Sequence, residues 1–273
     1  MSPFDLTGGP FLQLYGILFA LTVIAGLLIP RWLRPEGHVP RSPDVDQLAF
    51  LAGGKPRFAD ALVSRLLARR ALAMTGKKFL ADRRERGEGA AEASVLALSQ
   101  PMPWRAIERT LKPYAEDIEA ELVSSGLLMD GSTTLQMRFW QTLPYLLLVG
   151  FGAIKLDVGL SRDRPVGILT VFLIVTAVLA LLRFVIVDRR TRRGRATLHE
   201  ARAQTGRLRR AATAPETGMA VALYGTAVLA GSGWADFHRM RTANSGGDSG
   251  SSGGDGGGGC GGGGGGGCGG CGS

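Results

Sequence analysis

Residues 6–30 read Leu6-Thr7-Gly8-Gly9-Pro10-Phe11-Leu12-Gln13-Leu14-Tyr15-Gly16-Ile17-Leu18-Phe19-Ala20-Leu21-Thr22-Val23-Ile24-Ala25-Gly26-Leu27-Leu28-Ile29-Pro30, 25 residues without a charge. A bilayer core about 30 Å thick is crossed by about 20 apolar residues rising 1.5 Å each, so this stretch is long enough to span it. Two further apolar stretches, Phe139–Ile154 and Pro165–Leu182, lie beyond a charged region. In the third, Arg183 stands close enough to the end to lift its guanidinium to the headgroups. The second has only 16 uncharged residues. As a helix they cover about 24 Å. Lys155 can snorkel, however, and Trp140 and Tyr145 have the character of an interfacial belt. The ten residues 155–164 suffice as the turn of a hairpin. The competing reading, a buried helix pair in a soluble domain, has to explain a run from Ile168 to Leu182 whose only polar residues are Thr170 and Thr176. The expected fold is therefore mainly α, an integral membrane protein with about three transmembrane helices and a small helical module.

The basic residues set an orientation. No Lys or Arg precedes the first stretch, Arg31, Arg34 and Arg41 follow it, and Arg189, Arg190, Arg192, Arg193 and Arg195 crowd the exit of the third. The excess of positive charge on cytoplasmic loops then places the N-terminus outside, residues 31–138 inside, the 155–164 turn outside and the Arg-rich segment inside. The first stretch reads as an anchor rather than a cleaved signal, since it lacks a basic leader and a small-x-small cleavage pattern. The net charge of +9 resides largely in the membrane-adjacent arginines, which points to anionic lipid as a partner rather than to nucleic acid.

The boundaries follow: 1–30 the first span, 31–138 a module of two similar halves, 139–188 a transmembrane hairpin, 189–243 a basic juxtamembrane segment, and 244–273 a tail. Residues 44–130 balance 13 acidic against 13 basic residues. Asp44–Ala52 reads as a short helix stopped by Gly53-Gly54, Arg57–Ala71 as a second helix, and Leu72–Leu80 as two strands around Gly76. Trp104–Lys112 reads as a helix, with Pro113 opening another. Leu67, Ala71, Leu72 and Met74 recur as Leu122, Gly126, Leu127 and Met129 at a spacing of 55. Each half resembles part of a winged helix, with Arg57, Arg65, Arg69 and Arg70 as a candidate recognition face and Lys77 and Lys78 in the wing. The acids Asp60, Asp82, Glu85 and Glu88 and the cluster Glu116, Asp117, Glu119 and Glu121 would repel phosphate, so nucleic acid is a disfavoured partner. His38, His199 and His238 are isolated and read as local hydrogen-bonding residues.

Residues 197–212 alternate small and basic residues, which suggests a surface helix beside the headgroups. Residues 217–235 are uncharged but rich in glycine, which favours a helix docked on the module or lying at the membrane over a fourth crossing. With three spans the tail is cytoplasmic. Residues 246–273 hold 19 glycines and all three cysteines, Cys260, Cys268 and Cys271, spaced C-x7-C-x2-C. Glycine at this density predicts a disordered tether. The three thiols are the candidate metal ligands, for zinc or copper, or a redox pair. A four-coordinate site would need another ligand, and the glycine flanks supply no orienting groups.

The stretches Gly9–Tyr15, Leu48–Arg57, Ala61-Leu62-Val63 and Gly218–Gly225 resemble an uncharacterised family of bacterial membrane proteins, whose members commonly end in a Gly/Cys-rich tail like Cys260–Ser273. The resemblance covers nearly the whole chain. It implies a bacterial envelope protein with a cytoplasmic or juxtamembrane module, which with the apolar spans gives a multi-pass protein of the bacterial inner (plasma) membrane, and it assigns no catalytic residue or ligand. The Gly53-Gly54-Lys55 turn lacks the GxxxxGK[ST] spacing and reads as a helix stop rather than a phosphate loop. With no nucleophile, base or metal cluster assembled in the sequence, the expected function is a membrane-anchored interaction or scaffold protein that engages a protein partner through residues 44–130. The alternatives are a thiol-dependent redox or metal-handling protein and a membrane-tethered DNA-binding regulator.

Overall fold

A computed structural model describes residues 8–37, 43–82, 84–160 and 167–245. Three helices are long and apolar enough to cross a membrane: α1 (Gly8–Leu33), α5 (Gly131–Leu160) and α6 (Gly167–Val185). Within their apolar windows only 17% of α1, 28% of α5 and 17% of α6 is buried by protein. Leu147 and Leu181 are 67% and 63% exposed, and Ile17, Leu21 and Ile24 are exposed likewise. A soluble helix pair would cover such side chains, whereas hydrocarbon solvates them. The chain is a mainly helical, multi-pass membrane protein. Helix α5 has 30 residues and so reaches about 45 Å, which resolves the shortness of its apolar stretch by adding polar turns at either end.

Two tyrosines set the packing of α1 on α5. Tyr15 and Tyr145 are 0% and 1% exposed, and each lies against a glycine of the other helix, Gly152 and Gly26. Tyr145 is thus not part of an interfacial belt. A ring facing a glycine lets the two backbones approach, and that gain outweighs placing the phenol at the headgroups. Tyr15 Oη also lies 3.4 Å from Thr176 Oγ1 on α6, tying the third helix to the pair. A Cβ at Gly26 would meet Tyr145 Oη at 2.5 Å. Gly26→Val is therefore expected to cost about 1–3 kcal/mol in detergent. The check is a thermal melt in which Gly26→Ala with Tyr145→Leu regains part of the loss.

The remaining elements form one hydrophobic core drawn from both sides of the hairpin in sequence. Its centre is α2 (Val45–Ala68), broken by non-helical Gly53 and Gly54, the latter at φ +69°, before Pro56 restarts it. Phe58, Leu62 and Leu66, four residues apart, are at most 1% exposed, and each stabilises the core by about 1.5–3 kcal/mol. Strands β1 (Leu72–Thr75) and β2 (Lys78–Ala81) pair antiparallel through a Gly76-Lys77 loop, with Gly76 at φ +61° as a two-residue hairpin demands. After α3 (Ala90–Leu96), β3 (Met102–Pro103) adds to β2 and runs into α4 (Trp104–Ser124). Pro113 does not open a new helix: α4 continues through it, with Ile107, Leu111, Ala115 and Leu122 buried on one face. That apolar stripe is continuous across the proline and outweighs the one backbone bond the ring removes.

Residues 192–245 complete the same core. Helix α7 (Arg192–Gln204) buries Leu198, so it is anchored to the module rather than lying only beside headgroups. Residues 217–235 form α8 (Thr217–Tyr224) and a 3-10 turn, separated by Gly225 at φ +87°. Ala220, Val221, Ala222 and Leu223 are 0% exposed. Helix α8 packs on α2, so the stretches Leu48–Arg57 and Gly218–Gly225, distant in sequence, lie together. Arg57 Nη1 donates to Val221 O at 3.4 Å and Arg202 Nε to Leu223 O at 3.2 Å, so two cations cap the carbonyl end of α8. Helix α9 (Ala235–Ser245) adds Phe237, whose ring centroid lies 6.1 Å from Phe79 and 5.7 Å from Trp104.

Candidate functional site

The chain leaves the bilayer region at the ends of α1 and α6 and enters it at α5, and all three connections are woven together. Met129 N–H donates to Arg189 O (2.7 Å) and Thr191 N–H to Leu127 O (3.1 Å). Arg192 and Arg193 N–H donate to Pro35 O and Glu36 O. Thr191 Oγ1 accepts from Gly194 N at the start of α7 and donates to Gly126 O at 2.8 Å. Side chains at 37 and 194 would collide with the carbonyls of Gly126 and Leu127, so glycine at both allows the close approach.

Asp188 is the hub of this junction. Arg195 donates to its Oδ2 from Nε (2.8 Å) and Nη2 (2.6 Å), Arg34 Nη1 reaches the same oxygen at 3.4 Å, and Arg190 N–H donates to Oδ1 at 3.0 Å. Burial pushes the Asp188 carboxyl up, but the Arg190 amide and the guanidinium groups together outweigh it and hold it below the usual range. Arg34 is 8% exposed. Burial and the charge of Arg195 lower its guanidinium against the pull of Asp188. Arg190 Nη2 donates to Ala52 O at 2.7 Å, carrying the junction to the break in α2. Beside the hub lies an open cavity of about 750 Å³, lined by ends of α1, α5 and α6 and the start of α7.

Three of the four arginines considered for nucleic-acid contact, Arg57, Arg65 and Arg69, are engaged within the module. Glu92 is 1% exposed and accepts from Arg65 Nε at 2.6 Å and Arg69 Nη1 at 3.3 Å, and Asp46 holds Arg65 Nη1 at 3.1 Å. A buried carboxylate needs such partners, and Arg57 is held at the end of α8. Arg70, Lys77 and Lys78 remain exposed. Cys260, Cys268, Cys271 and His38 lie outside the described residues. His199 is exposed, and His238 Nδ1 lies 3.1 Å from Thr226 Oγ1. Among the described residues no three of His, Cys, Asp and Glu gather as metal ligands.

Asp188 escaped notice in the sequence, although a signal existed: it is the one carboxylate between Asp163 and Glu200, set against five following arginines. Arg241 was also missed. Its Nε donates to Asp60 Oδ1 at 2.5 Å and its guanidinium lies 4.3 Å over the Trp104 ring. Burial pushes the Asp60 carboxyl up to about 6, opposed by Arg241 and Arg57. Between the ordinary value near about 4 and this one, the folded protein binds more protons than the unfolded chain, so stability falls as pH rises through that window. Detergent-solubilised protein is expected to melt about 3 °C higher at about pH 5 than at pH 7, and Asp60→Asn to remove that slope.

Comparison with family models, with curated proteins and with solved structures finds no match. What the chain can do has to be read from its own geometry.

Proposed function

We propose that the chain is a membrane-anchored scaffold without catalytic activity of its own, which holds a helical module in a fixed stance against the inner face of a bacterial plasma membrane. Membership in the bacterial family that the chain resembles belongs to the same proposal, as does an N-terminus outside the cell. The observation that carries the reading is the junction. Asp188, Arg34, Arg190 and Thr191 lock the module to the ends of the spans, whereas a tethered enzyme needs only a loose linker. The module turns the charged face of α4 to solvent, where Arg105, Asp117 and Glu121 are exposed. A surface of mixed charge held at one height above the bilayer suits a protein partner that is itself at the membrane. DNA binding through a winged-helix-like unit finds less support, since Arg65 and Arg69, two of the cations it would use, are paired with Glu92 and Asp46.

Cross-linking in native membranes tests this. Full-length protein should capture a reproducible partner, and a variant with Arg105, Asp117 and Glu121 changed to alanine should lose it without a change in melting. An identical set of partners for both proteins contradicts the assignment of that face.

A further inference from the structure

The cavity beside Asp188 is lined by two chemically distinct sets of residues. Leu27, Pro30, Met137, Ile186 and Val187 form one, and Leu27 and Ile186 stay 51% and 54% exposed. Arg34, Arg183, Arg192 and Arg195 form the other with Gln141, and Asp188 is the one carboxylate among the described residues of the lining. Four guanidinium groups against one carboxylate leave an excess of positive charge along an open volume of about 750 Å³. That volume falls within the usual range for a ligand site. Asp188 is already occupied by Arg34, Arg190 and Arg195. Arg192 also meets Glu36 at 3.8 Å.

We infer that this cavity binds the headgroup of an anionic glycerophospholipid, its phosphate between Arg183 and Arg192 and the start of its acyl chains along Leu27, Ile186 and Val187. Charge complementarity selects an anion. The apolar lining suits an anion that carries hydrocarbon, because Leu27 lies inside the apolar window of α1 and acyl chains along it would be continuous with the bilayer. The depth agrees, since Pro30 closes the apolar window of α1 and Arg183 lies in the last turn of α6, where headgroups meet the hydrocarbon edge. The inference rests on the membrane placement of α1, α5 and α6. The basic residues join the ends of α1 and α6 to the start of α7, so an occupant would bridge the spans to the module.

The test uses full-length protein in nanodiscs of phosphatidylcholine doped with spin-labelled phosphatidylglycerol or spin-labelled phosphatidylcholine. The wild type should retain the glycerol lipid about tenfold over the choline lipid, and Arg183→Gln with Arg192→Gln should bring that ratio to about one. Arg183→Lys with Arg192→Lys, which keeps the charge, should preserve most of the preference, and melting of both variants should match the wild type. Equal retention of the two lipids, an unchanged ratio in the glutamine variant, or displacement by excess inorganic phosphate would overturn the site, the last by pointing to a soluble anion. Failure to recover the protein in nanodiscs at all would instead strike the membrane reading on which the site depends.

Discussion

Replacing Phe237 with alanine is expected to lower the stability of the module by about 3–5 kcal/mol, the usual cost of removing a large ring from a close-packed core. Phe237 is 1% exposed and closes a three-ring cluster with Phe79 of β2 and Trp104 of α4, while Arg241, one turn further along α9, stacks on Trp104 and binds Asp60. The loss should therefore be felt far away in sequence. Amide hydrogens of α2 and of the β1–β2 hairpin should exchange faster, although residues 45–81 are untouched. Phe237→Leu, which keeps most of the buried area, should retain more than half of the lost stability. If residues 217–245 were instead a fourth crossing or a loose tail, the alanine variant would leave exchange in α2 unchanged.

Asp188→Ala should cost about 3 kcal/mol and lower the melting midpoint by about 10 °C, because it strands Arg34, Arg190 and Arg195 around a half-buried gap. Removing one partner of a buried ionic cluster is far more costly than removing the whole cluster. Exposed Glu200 on α7 is the control, and Glu200→Ala should change stability by less than about 0.5 kcal/mol. The pH dependence is opposite in sign to that of Asp60. A depressed carboxyl stabilises the fold above its unfolded value near about 4, and that contribution is lost as pH falls through the lower folded value. Acid should loosen the junction in wild type and have no such effect in Asp188→Ala.

The three membrane helices are legible in the sequence because hydrocarbon imposes a requirement that composition alone can meet: an uncharged helix of sufficient length. Their mutual packing is not legible to the same degree. Tyr145 has the chemistry of an interfacial residue, and only the apposition of Gly26 in space draws it inside. The hairpin at Gly76 and the break at Gly53-Gly54 can be read locally, since the chain needs positive φ at Gly76 and Gly54. Pro113 misleads for the complementary reason, as the local preference of proline yields to a buried face that continues past it. The ion pairs of the module are hidden because their partners lie far apart: Arg241 and Asp60 are separated by 181 residues, Arg34 and Asp188 by 154. Charge patterning shows that such cations exist but not which carboxylate each will find.

The central claim is that residues 45–130 and 192–245 fold as one module on one side of a bilayer crossed three times. Labelling of single cysteines in intact cells, introduced as Ala90→Cys, Arg209→Cys and Ser161→Cys into a chain whose own three cysteines are serine, tests it most directly. The account predicts that an impermeant maleimide treats positions 90 and 209 alike and position 161 oppositely. Different behaviour at 90 and 209, or the same behaviour at all three, would contradict it.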